Sequence, residues 1–229
     1  MNIPDNIVKQ KLKNVYFIWG TGKTTTANEL HKRHGFYVYH TDYSRQTHFQ
    51  NAEPEYQPAM CRDILKEYGI KDYLGLPPKV AGEWEREIVR EFTPMIIADL
   101  IGLASQHEVV ICEGDIDEDT VITVSTNIVV LSNHGKKHDW FDRPDQRHML
   151  ENIRNRTDLT EQEKDELIKN AYAIVGGNSD EKNNHIHEIP RVVTQYGIRH
   201  IIFDDSTTIP GTVALVEEYF GFHKRGESQ

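Results

Sequence analysis

Val15-Tyr16-Phe17-Ile18-Trp19-Gly20-Thr21-Gly22-Lys23-Thr24-Thr25-Thr26 is the stretch that decides the fold. Val15–Trp19 is β-branched, aromatic and apolar throughout, the composition of a buried strand. Gly20-Thr21-Gly22 breaks the run. Lys23–His34 then has helical composition and stops at Gly35. A strand, a glycine turn and a helix that opens on Lys-Thr form the context a phosphate-binding loop requires. Glycines let the backbone curl until successive N–H groups point at one anion. The helix N-terminus adds unsatisfied donors and a partial positive charge. On this reading Gly20, Thr21, Gly22 and Lys23 hold phosphate, Thr24 ligates Mg²⁺ and Thr25 meets the α-phosphate of a nucleotide.

The loop departs from the full pattern G-x-x-x-x-G-K-[ST]. Counting back from Gly22 puts Phe17, a strand residue, where the first glycine belongs. Two explanations compete. Either the loop is truly short and its amides cannot enclose a β-phosphate, or a few loop residues are missing from the sequence. The second is preferred, because Lys23–Thr26 and everything downstream keep their places.

Working outward, Phe36–His40, Glu108–Glu113, Asn127–Ser132 and Arg199–Phe203 are four further strand candidates. Helical stretches lie between and after them: Pro58–Tyr68, Glu83–His107, Met149–Asn155, Asp158–Val175, Lys182–Tyr196 and Ile209–Phe220. Pro94 should kink or divide the second of these. Asp158 and Glu161 fit an N-terminal capping pattern. Thr41–Gln57, polar and containing Pro54, reads as a loop or short irregular helices, and Leu74–Gly82 reads as a loop. Short apolar strands alternating with helices imply an α/β fold whose parallel sheet is buried on both faces. Ligands then sit at the carboxyl ends of the strands.

Charge and composition narrow the function. Asp and Glu number 36 against 26 Lys and Arg, a net charge of −10, so the chain as a whole repels a phosphate backbone and nucleic acid is disfavoured as a partner. A local basic site for a small anion remains open. Two cysteines, Cys61 and Cys112, make neither a disulfide framework nor a zinc pattern. Both are expected as buried thiols, which suits a reducing cytoplasm. No apolar run approaches the ~20 residues of a membrane span, and Met1–Asn14 lacks the apolar region of a signal peptide. The pairs His134/His138 and His185/His187 have no Cys or carboxylate set to complete a metal site. The length of 229 residues suits one domain with its own core.

With Gly20–Thr25 between strand and helix, and with this succession of elements, the chain resembles the P-loop kinases of the nucleoside-monophosphate-kinase, shikimate-kinase and zeta-toxin-like group. The resemblance is specific in sequence only at that first stretch; elsewhere it is positional. It implies the three-layer P-loop NTPase fold with a five-stranded parallel sheet in the order 2-3-1-4-5. Residues 1–229 would form a single kinase domain, 41–107 would include a substrate-binding insert, and 133–157 would be a helical LID. The implied activity is transfer of the γ-phosphoryl of Mg-ATP to a small-molecule acceptor, a nucleoside, a nucleotide or another metabolite.

The resemblance also assigns roles. Asp42, after the second strand, would orient the acceptor hydroxyl and take its proton. Arg45 would hold an anionic group of the substrate or the transferring phosphoryl. Val109–Glu113 resembles a Walker B strand, so Glu113 would hold a Mg²⁺-bound water or the acceptor; Asp115 is a weaker candidate. From the LID, Arg143 would bind nucleotide, and Arg147 and Arg154, seven residues apart, would neutralise developing charge, with Arg156 beside them. Asp204–Thr208 would lie against the adenine. The short glycine loop also admits an alternative, a nucleotide-binding regulator with a degenerate P-loop and no transfer activity. An intact mass above 26.5 kDa for the purified protein marks missing loop residues; agreement with that mass marks a truly short loop.

Overall fold

The run Val15–Gly20 forms β1, and its alternate side chains divide two hydrophobic layers between them. The computed structural model describes residues 5–133, 144–175, 190–204 and 206–222. With β2 (Tyr37–His40), β3 (Val110–Glu113), β4 (Ile128–Asn133) and β5 (Arg199–Phe203), β1 builds a five-stranded sheet in the order β2-β3-β1-β4-β5. Every pairing is parallel. This is the α/β architecture and strand order that the resemblance implies. β1 lies at the centre, so its glycine turn opens at the middle of the carboxyl edge, where the connections diverge to the two sides.

Phe17 and Trp19 point into one layer, together with α1 (Asp5–Lys11), α6 (Pro78–Ala104) and α7 (Glu118–Val124). Ile18 points into the other, with Ala27 and Leu30 of α2 (Lys23–His34) and Val213 and Val216 of the closing helix Ile209–Phe220. The period of two along an all-apolar strand is what burial on both faces requires. Among the described residues no helix is long and apolar enough to cross a membrane.

Several expectations need correction. Thr41–Gln50 is one regular helix, α3, rather than a loop or short irregular helices. Its polar composition hides this, because tertiary anchors hold it. His48 is 6% exposed, lies edge-on to Phe92 of α6, and sits 3.1 Å from the Asp99 carboxylate, which also accepts a 2.6 Å bond from Tyr39 Oη. The stretch Pro58–Tyr68 divides into two single turns, α4 (Pro58–Cys61) and α5 (Ile64–Glu67), because Arg62 is extended and Asp63 caps the second through the Lys66 N–H. Helix α6 begins at Pro78, inside the expected loop, and runs through Pro94 without dividing.

The capping box sits two residues beyond its expected place. Thr160 and Glu163 exchange bonds ahead of α9 (Glu161–Val175), while Asp158 is engaged by Arg156. Of the expected helix Lys182–Tyr196, the described part is α10 (Arg191–Tyr196), which starts after Pro190. Cys112 is buried as expected, and burial pushes its thiol pKa up, but Cys61 is exposed.

Gly20 fixes where β1 ends. Its φ is +86°, and a Cβ there would lie 2.1 Å from the Leu131 carbonyl oxygen. Gly20→Ala should therefore lower the unfolding free energy by more than about 2 kcal/mol, combining left-handed strain with a backbone collision. Gly35→Ala, at φ +71° with open space around it, should cost only about 1–2 kcal/mol. Urea unfolding midpoints of the two variants check the contrast.

Candidate active site

The connection from β1 to α2 is Thr21 and Gly22 alone. Gly20 still pairs with Leu131, and the Thr21 N–H donates to the Leu131 carbonyl at 2.9 Å, so this amide belongs to the sheet. Phe17, at the place of the pattern's first glycine, is fully buried between Cys112 and Ile128 on the neighbouring strands. Gly22 has φ +80° and starts α2 with no side chain capping it. The first intrahelical bond runs from the Thr26 N–H to the Gly22 carbonyl at 3.0 Å. Helix geometry therefore leaves the N–H groups of Lys23, Thr24 and Thr25 without intrahelical acceptors. Three amides, the helix dipole and the Lys23 ammonium together favour negative charge at this corner. The Phe203 ring, at the end of β5, lies 3.4 Å from where a Gly22 Cβ would be.

Glu113 ends β3 at only 4% exposure, and a carboxylate buried that deeply needs partners. It has two. Oε2 accepts a 2.8 Å hydrogen bond from Thr24 Oγ1, and Oε1 pairs with Nδ1 of His40, its parallel neighbour on β2. A hydroxyl and a carboxylate side by side are hard oxygen donors of the kind Mg²⁺ takes, and Mg²⁺ needs only one or two such groups beside water and phosphate. The expected pair Thr24 and Glu113 thus fits that ion.

Next to Glu113, Gly114 has φ +121°, and a Cβ there would lie 2.0 Å from Thr41 Oγ1. Among the described residues, Thr41 Oγ1 and Trp19 Nε1 are buried side-chain polar atoms without a hydrogen-bond partner. Thr41 begins the helix after β2, Trp19 lies near the end of β1, and unpaired buried polar atoms are rare in folded proteins.

A cleft of about 340 Å³ opens here, lined by Trp19, Gly20, Lys23, Val89, Asp115 and Glu118, among others. A larger cleft of about 550 Å³ adjoins it and shares Val89, Ile116 and Glu118 with it. Asp42, in the first turn of α3, belongs to the same surroundings. Partial burial raises its pKa most; the Asp115 carboxylate adds to this, the Lys23 ammonium opposes it, and Glu113 and Arg45 contribute with opposite signs. No side chain caps α3.

Arg45 is engaged otherwise. Its Nη2 lies 2.5 Å from Glu85 Oε1 on α6, and its guanidinium sits 5.8 Å from the Phe49 ring centroid. Lys23, Asp42, Glu113 and Asp115 are therefore brought together, with Arg45 at the edge of the group.

Arg143 lies outside the described residues. Arg147 and Arg154 are exposed on α8 (Pro144–Arg154). The buried side of α8, Leu150 and Ile153, packs with Leu74 and with Ala171 of α9. Arg156 pairs with Asp72 and Asp158, both at 2.7 Å. After β5, Asp204 accepts bonds from Ser206 and Thr207 within its own turn, which lowers its pKa; Asp205 lies outside the described residues. Sequence reasoning missed His40, whose pairing with Glu113 follows from strand register.

No protein-family model matches the chain, and no curated protein matches it in sequence. Among solved structures, a dephospho-CoA kinase from Campylobacter jejuni is similar with a TM-score of 0.40 and 14% identity, over 91% of this chain and 96% of that chain. The functional reading rests on the chain's own residues.

Because the folded protein raises the Asp42 pKa, its ionised form is disfavoured by folding, and the associated stability is lost as pH rises through the raised value. Asp42→Asn should therefore melt no lower than the wild type at pH 7, with any gain fading toward pH 4. Thermal melts at the two pH values check this; a large loss would make Asp42 a structural residue.

Proposed function

We propose that the protein is an ATP-dependent phosphotransferase that moves the γ-phosphoryl group of ATP to a small-molecule acceptor. The observation that carries the reading is the grouping of Lys23, the open amides of α2, the Thr24–Glu113 pair and Asp42 at the carboxyl edge of the sheet, beside the cleft that Lys23 lines. Lys23 and the amides of Lys23, Thr24 and Thr25 hold the phosphates. Thr24 and Glu113 would hold Mg²⁺, which neutralises charge on the phosphate oxygens. Asp42 accepts the proton of the acceptor hydroxyl as its oxygen bonds to the γ-phosphorus. The bond from that phosphorus to the β–γ bridging oxygen breaks, and ADP leaves. A raised pKa makes Asp42 a stronger base than an ordinary carboxylate and moves the acid limb of the rate profile upward. The exposed guanidinium groups of Arg147 and Arg154 remain available for the phosphates, as the LID arginines of the kinases it resembles would be. An acidic chain of this kind suits small molecules and the cytoplasm rather than nucleic acid or a membrane surface.

With Mg-ATP and a panel of nucleosides, nucleotides and sugars, transfer should be detectable. Lys23→Ala should lower it by roughly 10²-fold or more. Asp42→Asn should lower it by roughly 10²–10⁴-fold and flatten the acid limb. ATP should also raise the melting temperature, by about 2.7 kcal/mol of stability at a hundred times its Kd. A melting shift without turnover across the panel favours the regulator reading that the short loop suggests. No shift at all contradicts nucleotide binding altogether.

A further inference from the structure

Trp19 precedes the glycine that closes β1, and it lines the cleft that contains Lys23. It is 4% exposed, and its Nε1 has no hydrogen-bond partner. A buried indole N–H ordinarily finds an acceptor. Trp84 shows the usual outcome in the same fold, because its Nε1 donates to the Ala59 carbonyl at 3.0 Å. The other orphan among the described residues, Thr41 Oγ1, lies against Gly114, and Gly114 lines the same cleft as Trp19. Both orphans therefore border one space. The Trp19 N–H is covered, so an indole that meets a ligand turns its edge toward the cleft its residue lines.

An indole N–H can only donate, so its partner must offer a lone pair. The charged residues that line the cleft are Lys23, Asp115 and Glu118, one ammonium against two carboxylates. Asp42 is near enough to Asp115 for the two carboxylates to repel. A phosphate placed here as the reacting group of the acceptor would add negative charge to this wall, at a cost. A hydroxyl adds none. Its oxygen accepts from Nε1 with one lone pair, keeps the second for the γ-phosphorus, and points its proton at a carboxylate.

We propose that Trp19 Nε1 donates to the reacting group of the acceptor, and that this group is an uncharged hydroxyl rather than a phosphate. This rests on the phosphotransferase reading of the same site and narrows it: the enzyme makes phosphate monoesters and no phosphoanhydrides. The hydroxyl oxygen bonds to the γ-phosphorus, its proton passes to Asp42, the bond from that phosphorus to the β–γ bridging oxygen breaks, and ADP leaves.

The test uses the full chain with Mg-ATP and a panel of nucleosides, nucleoside 5′-monophosphates, free sugars and sugar phosphates. Products are classed by ³¹P NMR. Every product should be a monoester, and a diphosphate linkage on any acceptor overturns the proposal. Indole ¹H–¹⁵N signals, assigned with single Trp→Phe variants, report the donor directly. With Mg-ADP in place, at least one hydroxyl compound of the panel should move the Trp19 signal and leave that of Trp84 where it was. A Trp19 signal that moves with nucleotide alone, or with nothing, overturns the proposal.

Trp19→Phe should raise KM for the acceptor roughly 3–10-fold, the worth of one hydrogen bond, and leave KM for ATP unchanged. That variant also removes ring volume. Benzothienylalanine in place of Trp19 keeps the shape and exchanges the N–H for sulfur, so it separates donation from packing. It should show the same rise in KM; wild-type kinetics would reduce Trp19 to a packing residue and overturn the proposal. Transfer to a hydroxyl with the Trp19 signal unmoved removes this donor and leaves the phosphotransferase reading intact. A Trp19 signal moved by a nucleoside or sugar without any transfer supports the donor and removes the phosphotransferase reading. Neither binding nor transfer across the panel overturns both.

Discussion

The structure depends on a carboxylate held almost out of solvent where three elements meet. Glu113 closes β3, His40 closes β2, and Thr24 sits in the first turn of α2. An unpaired charge at 4% exposure would be strongly unfavourable. Its two oxygens therefore dictate where the imidazole and the hydroxyl must lie. Those bonds tie the helix that follows β1 to the ends of β3 and β2. The start of α2, with its open amides and Lys23, is held beside Asp42 as a result. The relative positions of the α2 terminus, Lys23 and Asp42 thus follow from one pairing requirement.

The backbone reinforces this at two glycines. Gly20 brings β1 against the Leu131 carbonyl, closer than any side chain permits, and Gly114 brings the end of β3 against Thr41. Both lie on the carboxyl edge of the sheet and flank the cleft that contains Lys23. The shortness of the β1–α2 turn has a chemical consequence. The Thr21 amide serves the sheet, so the amides left open at this turn are those of the helix terminus, beside Lys23, rather than a closed ring of loop amides.

How much of this was legible in the sequence varies from element to element. β1, the glycine turn and α2 were readable because an all-apolar run, two glycines and Lys-Thr leave few alternatives. β5 and the closing helix were readable to the residue. The strand order came only from resemblance, since apolar runs do not say which neighbour they choose. Helix α3 was illegible because Thr-Asp-Tyr-Ser-Arg-Gln has no apolar stripe; its helicity is held by His48 and Asp99, residues 51 apart in sequence (99 − 48). Asp42, Lys23 and Glu113 were found by their places relative to strands, and the structure puts their charges within reach of one another. Arg45 was found the same way, yet it carries an ion pair, because pairing depends on a partner forty residues away.

The central claim is that the open end of α2 holds the phosphates of a nucleotide. A crystal structure with a non-hydrolysable ATP analogue and Mg²⁺ tests it most directly. The account predicts phosphate oxygens within hydrogen-bond distance of the Lys23, Thr24 and Thr25 amides and the Lys23 ammonium, with the metal between them and Thr24. A nucleotide bound elsewhere, with this helix terminus occupied only by solvent, would contradict it.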